Sequence, residues 1–243
     1  MPGITIYNGP SMIDGAPIFV AAVWSSKNKK TGDMLQTYVM RADMNPLQAN
    51  KTGEDHSICG DCKHRGVPTQ DPKRKLAEKR SCYVNMGQGP LIVFKQYQKG
   101  AYPLSDTLDD VAELGQGKRI RLGTYGDPAV VPAYIWAQLI SKAKGWTGYT
   151  HQSGHATADV QPLMTMISAD TLEGAEKAWA SKYRTFRVIR DVSEIVKGKE
   201  VLCPASEEAG RKATCSTCML CAGSQQAARS VAIVVHGGGA KYA

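Results

Sequence analysis

Seven cysteines fall into two groups, at positions 59, 62 and 82 and at 203, 215, 218 and 221. The second group reads Cys215-x2-Cys218-x2-Cys221, with Cys203-Pro204 able to supply a fourth thiolate across an eleven-residue loop. Four soft ligands gathered by tight turns suit either tetrahedral zinc or a 4Fe-4S cluster. A zinc site with His236 in place of Cys203 is a variant of the same idea. The first group, Cys59-x2-Cys62 with Cys82 after nineteen intervening residues, has three thiolates. His64 or His56 would complete a zinc site of three cysteines and one histidine. If no histidine binds, a three-cysteine cluster with one open iron is the alternative, and unliganded structural cysteines are the plain one. Neither group resembles an extracellular disulfide framework, so clustered thiols point to metal.

Carboxylates and imidazoles form a second set of candidates. Asp127 lies between Gly126 and Pro128 after an apolar run, where it could serve as nucleophile at a sugar anomeric carbon or as general base. The competing role is to cap the helix that follows. Asp170 precedes a helical stretch with Glu173 three residues later, the spacing of a capping box. His151 and Gln152 pair an imidazole with an amide that could read a base edge or polarise a leaving group. The glycines after His236 could pass close to a phosphate or a planar ring, or simply turn the chain.

Such residues need elements to hold them. At 243 residues, with 42% hydrophobic and 21% charged, the chain is long enough for one domain with a sizeable core. Residues 17–24 and 35–41 read as strands, separated by a lysine-rich turn over 27–32, in an otherwise irregular first third. From Lys118 onward strands predicted at 119–124, 146–150, 163–168, 185–189 and 231–235 alternate with helices at 132–143 and 171–181. That alternation implies βαβ units and a parallel sheet, open or closed into a barrel. Polar residues after each strand, Tyr125-Gly126-Asp127, His151-Gln152, Ser168-Ala169-Asp170 and His236, would then converge on one rim. The fold expected is α/β, a compact or incomplete (β/α)8-like barrel in a single catalytic domain over 1–243, with cysteine-rich metal-binding inserts at about 50–85 and 200–225.

Lysine and arginine number 30 against 22 acidic residues, a formal net charge of +8. The excess favours a polyanionic partner, or serves solubility. Its densest run holds Lys73, Arg74, Lys75, Lys79 and Arg80, close to Lys63 and Arg65; these either touch phosphates or form a solvated face. No segment approaches the roughly 20 apolar residues that span a bilayer, and the N-terminus lacks a secretory pattern, so a cytoplasmic protein is expected.

The order of motifs is itself informative: Ser81-Cys82-Tyr83, Tyr125-Gly126-Asp127, Gly148-Tyr149-Thr150, Ser168-Ala169-Asp170, then Cys203-Pro204 through Cys221. Over roughly 50–240 this set resembles a phage-encoded 7-deazaguanine DNA transglycosylase family, distant relatives of the queuine-type tRNA-guanine transglycosylases. Those parent enzymes are zinc-bearing (β/α)8 barrels. The chain departs from them in being shorter, in lacking their C-x-C-x2-C spacing and in carrying a second cysteine group.

The resemblance implies exchange of guanine in DNA for a 7-deazaguanine base in the cytoplasm of an infected host cell. Asp127 would attack the anomeric carbon of a flipped-out nucleotide, and Asp43 would take a proton from the incoming base. Asp170, Gln152 and Ser168 would read the guanine edge, with Tyr125, Gly126 and His151 around it. The basic residues from Lys63 to Arg80 would hold the DNA backbone, and structural metal would staple loops at the rim. Two other readings compete: a radical-type iron-sulfur enzyme built on Cys59, Cys62 and Cys82 with Gly126-Asp127 at the cofactor, and a non-catalytic, metal-stapled nucleic-acid-binding protein.

Overall fold

The structure is a computed structural model that describes residues 3–25, 30–225 and 227–242. Among the described residues ten strands build two five-stranded sheets. In the first, β1 (Gly3–Pro10), β2 (Pro17–Ser25) and β3 (Met34–Arg41) run antiparallel, and β4 (Arg119–Tyr125) and β5 (Gly145–Thr147) continue parallel to β3. The second sheet is parallel throughout, in the order β6 (Tyr149–Thr150), β7 (Met166–Ala169), β8 (Thr185–Ile189), β10 (Ser230–Val234), β9 (Glu200–Leu202). No closed barrel forms among the described residues. Residues 26–29 of the expected lysine-rich turn lie outside the described residues.

The 146–150 strand expected as one piece divides at Gly148, whose N–H goes to the Cys221 carbonyl while its own carbonyl takes the Met166 N–H, both near 3 Å. Gly148 thereby hands the chain from the first sheet to the second. From β3 onward, successive strands β3-β4-β5 and β6-β7-β8-β10 are parallel neighbours, so their carboxyl ends face the same way within each sheet.

Helices α1 (Pro46–Thr52), α2 (His56–Cys59), α3 (Gly89–Gln98) and α4 (Leu108–Gly115) fill the long crossover from β3 to β4; α5 (Ala133–Ile140), α6 (Leu172–Ala180) and α7 (Cys215–Cys218) follow. Every residue of β3 is buried, polar ones included, because it is covered on both faces. Thr37 shows how: its hydroxyl donates to the Arg121 carbonyl at 2.9 Å and accepts the Gly123 N–H at 2.9 Å. Those bonds bridge the place where the β3–β4 register shifts and Gly123 takes a φ of +63°. The main core joins β1–β4 to α3, α4 and α5 through residues such as Phe19, Val39, Leu122 and Trp136, and a smaller cluster of Met166, Val231, Ile233 and Cys203 serves the second sheet.

Candidate functional site at the strand ends

Loops from the carboxyl ends of β3, β4, β6 and β7 meet at one rim. The Asp127 N–H donates to Ile58 O at 2.7 Å, tying the β4 turn to α2, and Gln152 Nε2 donates to Cys59 O at 2.8 Å. Gln152 Oε1 accepts the Asp61 N–H at 3.2 Å, so this buried amide clamps the Cys59-Gly60-Asp61-Cys62 turn instead of facing a base. Gly60 is required there: φ is +52°, and a Cβ would lie 1.9 Å from Gln152 Oε1. Cys82 is docked on the same turn by its N–H, which donates to His64 O at 3.0 Å. Burial pushes the Cys59 thiol well up, with the Asp55 carboxylate and then the neighbouring Cys62 and Cys82 acting in the same direction.

His64, His151 and Asp170 form the polar heart of the rim. Asp170 Oδ1 lies 3.3 Å from His64 Nε2 and 3.5 Å from His151 Nε2, and one ligand atom from each residue falls within 4.8 Å of the others. His64 Nδ1 pairs with Ser81 Oγ at 2.7 Å, which fixes the ring; its buried Nε2 makes no well-aligned hydrogen bond. Burial opposes charge on His151, but hydrogen bonds to Asp170 and Cys62 outweigh it and hold the imidazole well above the ordinary histidine range. Burial likewise works against the Asp170 carboxylate, yet the two imidazoles keep it far below the usual range. Asp170 is not the cap of α6: Thr171 is, accepting the Gly174 N–H at 3.1 Å, and this leaves Asp170 for the histidines.

Asp127 takes the capping role. It is 6% exposed, with Oδ1 accepting Ala129 N–H at 3.0 Å and Oδ2 accepting His151 N–H at 2.8 Å. Burial raises its pKa, with those backbone donors acting in the opposite direction. A nucleophile needs an approachable lone pair, and this carboxylate is buried with each oxygen engaged by a backbone donor. Tyr125 is also buried, its hydroxyl 4.0 Å from Met86 Sδ, and Gly126 packs a would-be Cβ 2.6 Å from Val39 O, so both serve the fold. Ser168 is half-buried on β7. Asp43 is held by Arg41 at 2.8 and 3.0 Å, which lowers its pKa; Arg41 also reaches Glu54 and Ser57, a network apart from the histidines.

The basic residues divide. Arg65 is bound to Asp55 at 2.6 Å and to the carbonyls of Gly53 and Gly60, and Arg80 to those of Cys82 and Val84. Both are loop staples. Lys73, Arg74, Lys75 and Lys79 are exposed, Arg74 lying 3.5 Å from Glu78, and Lys63 extends over the rim to 3.5 Å from Asp170 O.

His64 completes no three-cysteine zinc site, since its free nitrogen faces Asp170, and His56 lies near Asp14 and Asp61 instead. Among the described residues no three cysteine sulfurs lie within 4.8 Å of one another. Tetrahedral zinc with Zn–S near 2.3 Å would hold its sulfurs roughly 3.8 Å apart. Sequence reasoning named Ser81 only as part of the Ser81-Cys82-Tyr83 motif and missed that it sets His64. It missed Arg121 altogether, although an arginine inside an apolar strand is a signal, and this one is 5% exposed.

No protein-family model, curated protein or solved structure matches the chain. No helix is long and apolar enough to cross a membrane among the described residues.

Proposed function

We propose that the chain is a radical-type iron-sulfur enzyme, with Cys59, Cys62 and Cys82 the three thiolate ligands of a 4Fe-4S cluster at the rim. The observation that carries this reading is the docking of Cys82 on the Cys59–His64 turn beside His151 and Asp170, with no three sulfurs within 4.8 Å of one another among the described residues. A cubane separates its thiolates further than a single ion does, because four irons stand between them. Three protein ligands leave one iron open to a co-reactant, which for radical chemistry of this kind is S-adenosylmethionine. An open parallel array whose first βα loop bears the cysteines suits such a centre, since ligands collect at carboxyl ends of strands.

The chain's own residues then have definite tasks. Gln152 and Gly60 shape the cysteine turn, and Asp127 locks the β4 and β6 ends beneath it. His151 and Asp170 bind and orient a polar substrate, His151 as a charged donor. The exposed run Lys73, Arg74, Lys75 favours a polyanionic substrate, with nucleic acid the class best suited.

The test is anaerobic purification with iron and sulfide, followed by a one-electron reductant and S-adenosylmethionine. A brown protein absorbing near 400 nm that releases 5′-deoxyadenosine, lost in Cys62→Ser, is the expected result. A colourless chain carrying zinc at the rim would overturn it. The base-exchange reading keeps one supporting observation: Asp170 is ionised and its side chain is 30% exposed. It would therefore have to use Asp170, not Asp127, and labelled guanine entering duplex DNA in an Asp170-dependent way would favour it.

A further inference from the structure

The second cysteine group is built into the fold independently of the rim. Cys203 follows β9, its N–H donating to Ala232 O at 2.7 Å. The Cys215 and Ser216 N–H groups donate to Lys30 O and Thr31 O at 2.9 Å, Met219 turns the chain at φ +53°, and Cys221 O accepts the Gly148 N–H at 3.0 Å. Loop and sheet junction thus hold the four cysteines around one cavity, which Thr147 and Tyr149 also line.

Two buried donors beside these sulfurs have no protein partner. The Thr147 hydroxyl, on a residue 2% exposed, makes no hydrogen bond, and neither does Arg121 Nε. The rest of the Arg121 guanidinium reaches Tyr83 Oη at 2.7 Å and Cys215 Sγ at 3.9 Å, and stands 5.5 Å from the Tyr149 ring centre. No carboxylate pairs with this guanidinium among the described residues. A buried cation without a counter-anion is strongly disfavoured, so the arrangement calls for negative charge in the cavity.

We propose that Cys203, Cys215, Cys218 and Cys221 bind a 4Fe-4S cluster, separate from the rim centre, with Arg121 and Thr147 as its buried hydrogen-bond donors. Four thiolates around a cubane carry net negative charge that answers the guanidinium, and no three of the sulfurs lie within 4.8 Å of one another among the described residues. The Cys-x2-Cys-x2-Cys turn with a Cys-Pro partner fits that cofactor chemistry. Arg121 links the two groups, since Tyr83 adjoins Cys82.

The experiment compares the full chain, purified anaerobically, with Cys59→Ser/Cys62→Ser/Cys82→Ser and with Cys215→Ser/Cys218→Ser/Cys221→Ser, assaying iron, acid-labile sulfide and zinc. The rim variant should retain about four iron and four sulfide per chain, and the second-group variant should lose that same amount. If the rim reading fails, wild type and rim variant hold equal iron, and the second cluster still stands. About one zinc in the rim variant with no iron, or no metal at all, would overturn the proposal. Because the second-group variant is open to misfolding, Arg121→Met is made in the rim-variant background and its cluster titrated by electron paramagnetic resonance, with circular dichroism checking the fold. Removing a cation destabilises the more negative, reduced cluster, so the midpoint potential should fall; an unchanged potential would remove Arg121 from the site.

Discussion

The Asp127 carboxylate accepts the backbone N–H of His151 at 2.8 Å, so the end of β4 fixes the end of β6. The same carboxylate accepts Ala129 N–H, and the Asp127 N–H is bound to Ile58 O. One residue therefore joins three of the loops that make the rim. Asp127→Asn cannot satisfy both backbone donors, because its Nδ2 would face one of them. It should cost about 1–3 kcal/mol, the usual consequence of an unsatisfied buried group, with Asp127→Ala at least as severe. Urea denaturation measures this; a variant of native stability that lost only catalysis would reverse the assignment and restore Asp127 as a reacting group.

Gln152 acts one step further along the same loop. Its two bonds hold Cys59 O and Asp61 N–H, and neither is replaced in Gln152→Leu. That variant should fold but load less iron at the rim than wild type, while Gly60→Ala should fail at both. Iron content after anaerobic reconstitution separates the cases. Full loading of Gln152→Leu would show that the turn holds its shape without the clamp.

After Lys118 the hydrophobic periodicity placed some elements well, since 185–189 is β8 residue for residue and 132–143 contains α5, but of 163–168 only the last three residues are strand, in β7, and 146–150 divides between the two sheets. β1 was not legible, since Gly3, Asn8, Gly9 and Pro10 read as turn residues and a register irregularity between Thr5 and Tyr7 interrupts the alternation. The convergence of Asp127, His151 and Asp170 followed from the strand-end rule, but their roles did not. Whether an aspartate caps or projects depends on neighbouring hydroxyls, and Thr171 displaces Asp170 at the α6 N-terminus by a single position. Arg65 and Arg80 counted as surface charge in the sequence; only the loop's path reveals that they satisfy carbonyls.

That division of the basic residues has a measurable consequence. Lys73→Ala and Lys75→Ala remove exposed charges and should leave stability within about 0.5 kcal/mol. If nucleic acid is the polyanion, each should lower affinity across sequences and reduce the salt slope by about one. Arg65→Ala leaves the buried Asp55 without its charged partner, Asn50 still donating to it, and should instead destabilise the chain by about 3 kcal/mol. Fluorescence anisotropy with duplex and single-stranded DNA over a salt series reads the first effect. Unchanged slopes in both lysine variants would take this run out of the interface.

The second sheet contains a buried pair that bears on the distal cysteines. Arg187 on β8 grips Glu200 on β9 at 2.8 and 2.6 Å, with the intervening β10 between the two strands, and Glu200 also accepts Val196 N–H at 3.0 Å. Glu200 begins a strand of only three residues that leads directly into Cys203. Few backbone bonds hold so short an edge strand, so the ion pair carries much of its placement. Glu200→Ala leaves the buried guanidinium only Glu194 among the described residues, through its carbonyl at 2.7 Å and its carboxylate at 3.9 Å, and should cost about 3 kcal/mol; pairing it with Arg187→Met should recover much of that loss, as replacing both partners of a buried pair often does. Edge-strand displacement should also reduce iron retained in the rim-cysteine variant, because Cys203 would no longer be presented to the cavity. Denaturation midpoints and iron assays on the same preparations check both effects. A Glu200→Ala chain with lowered stability but full distal iron would show that Cys203 is positioned by its Ala232 hydrogen bond alone.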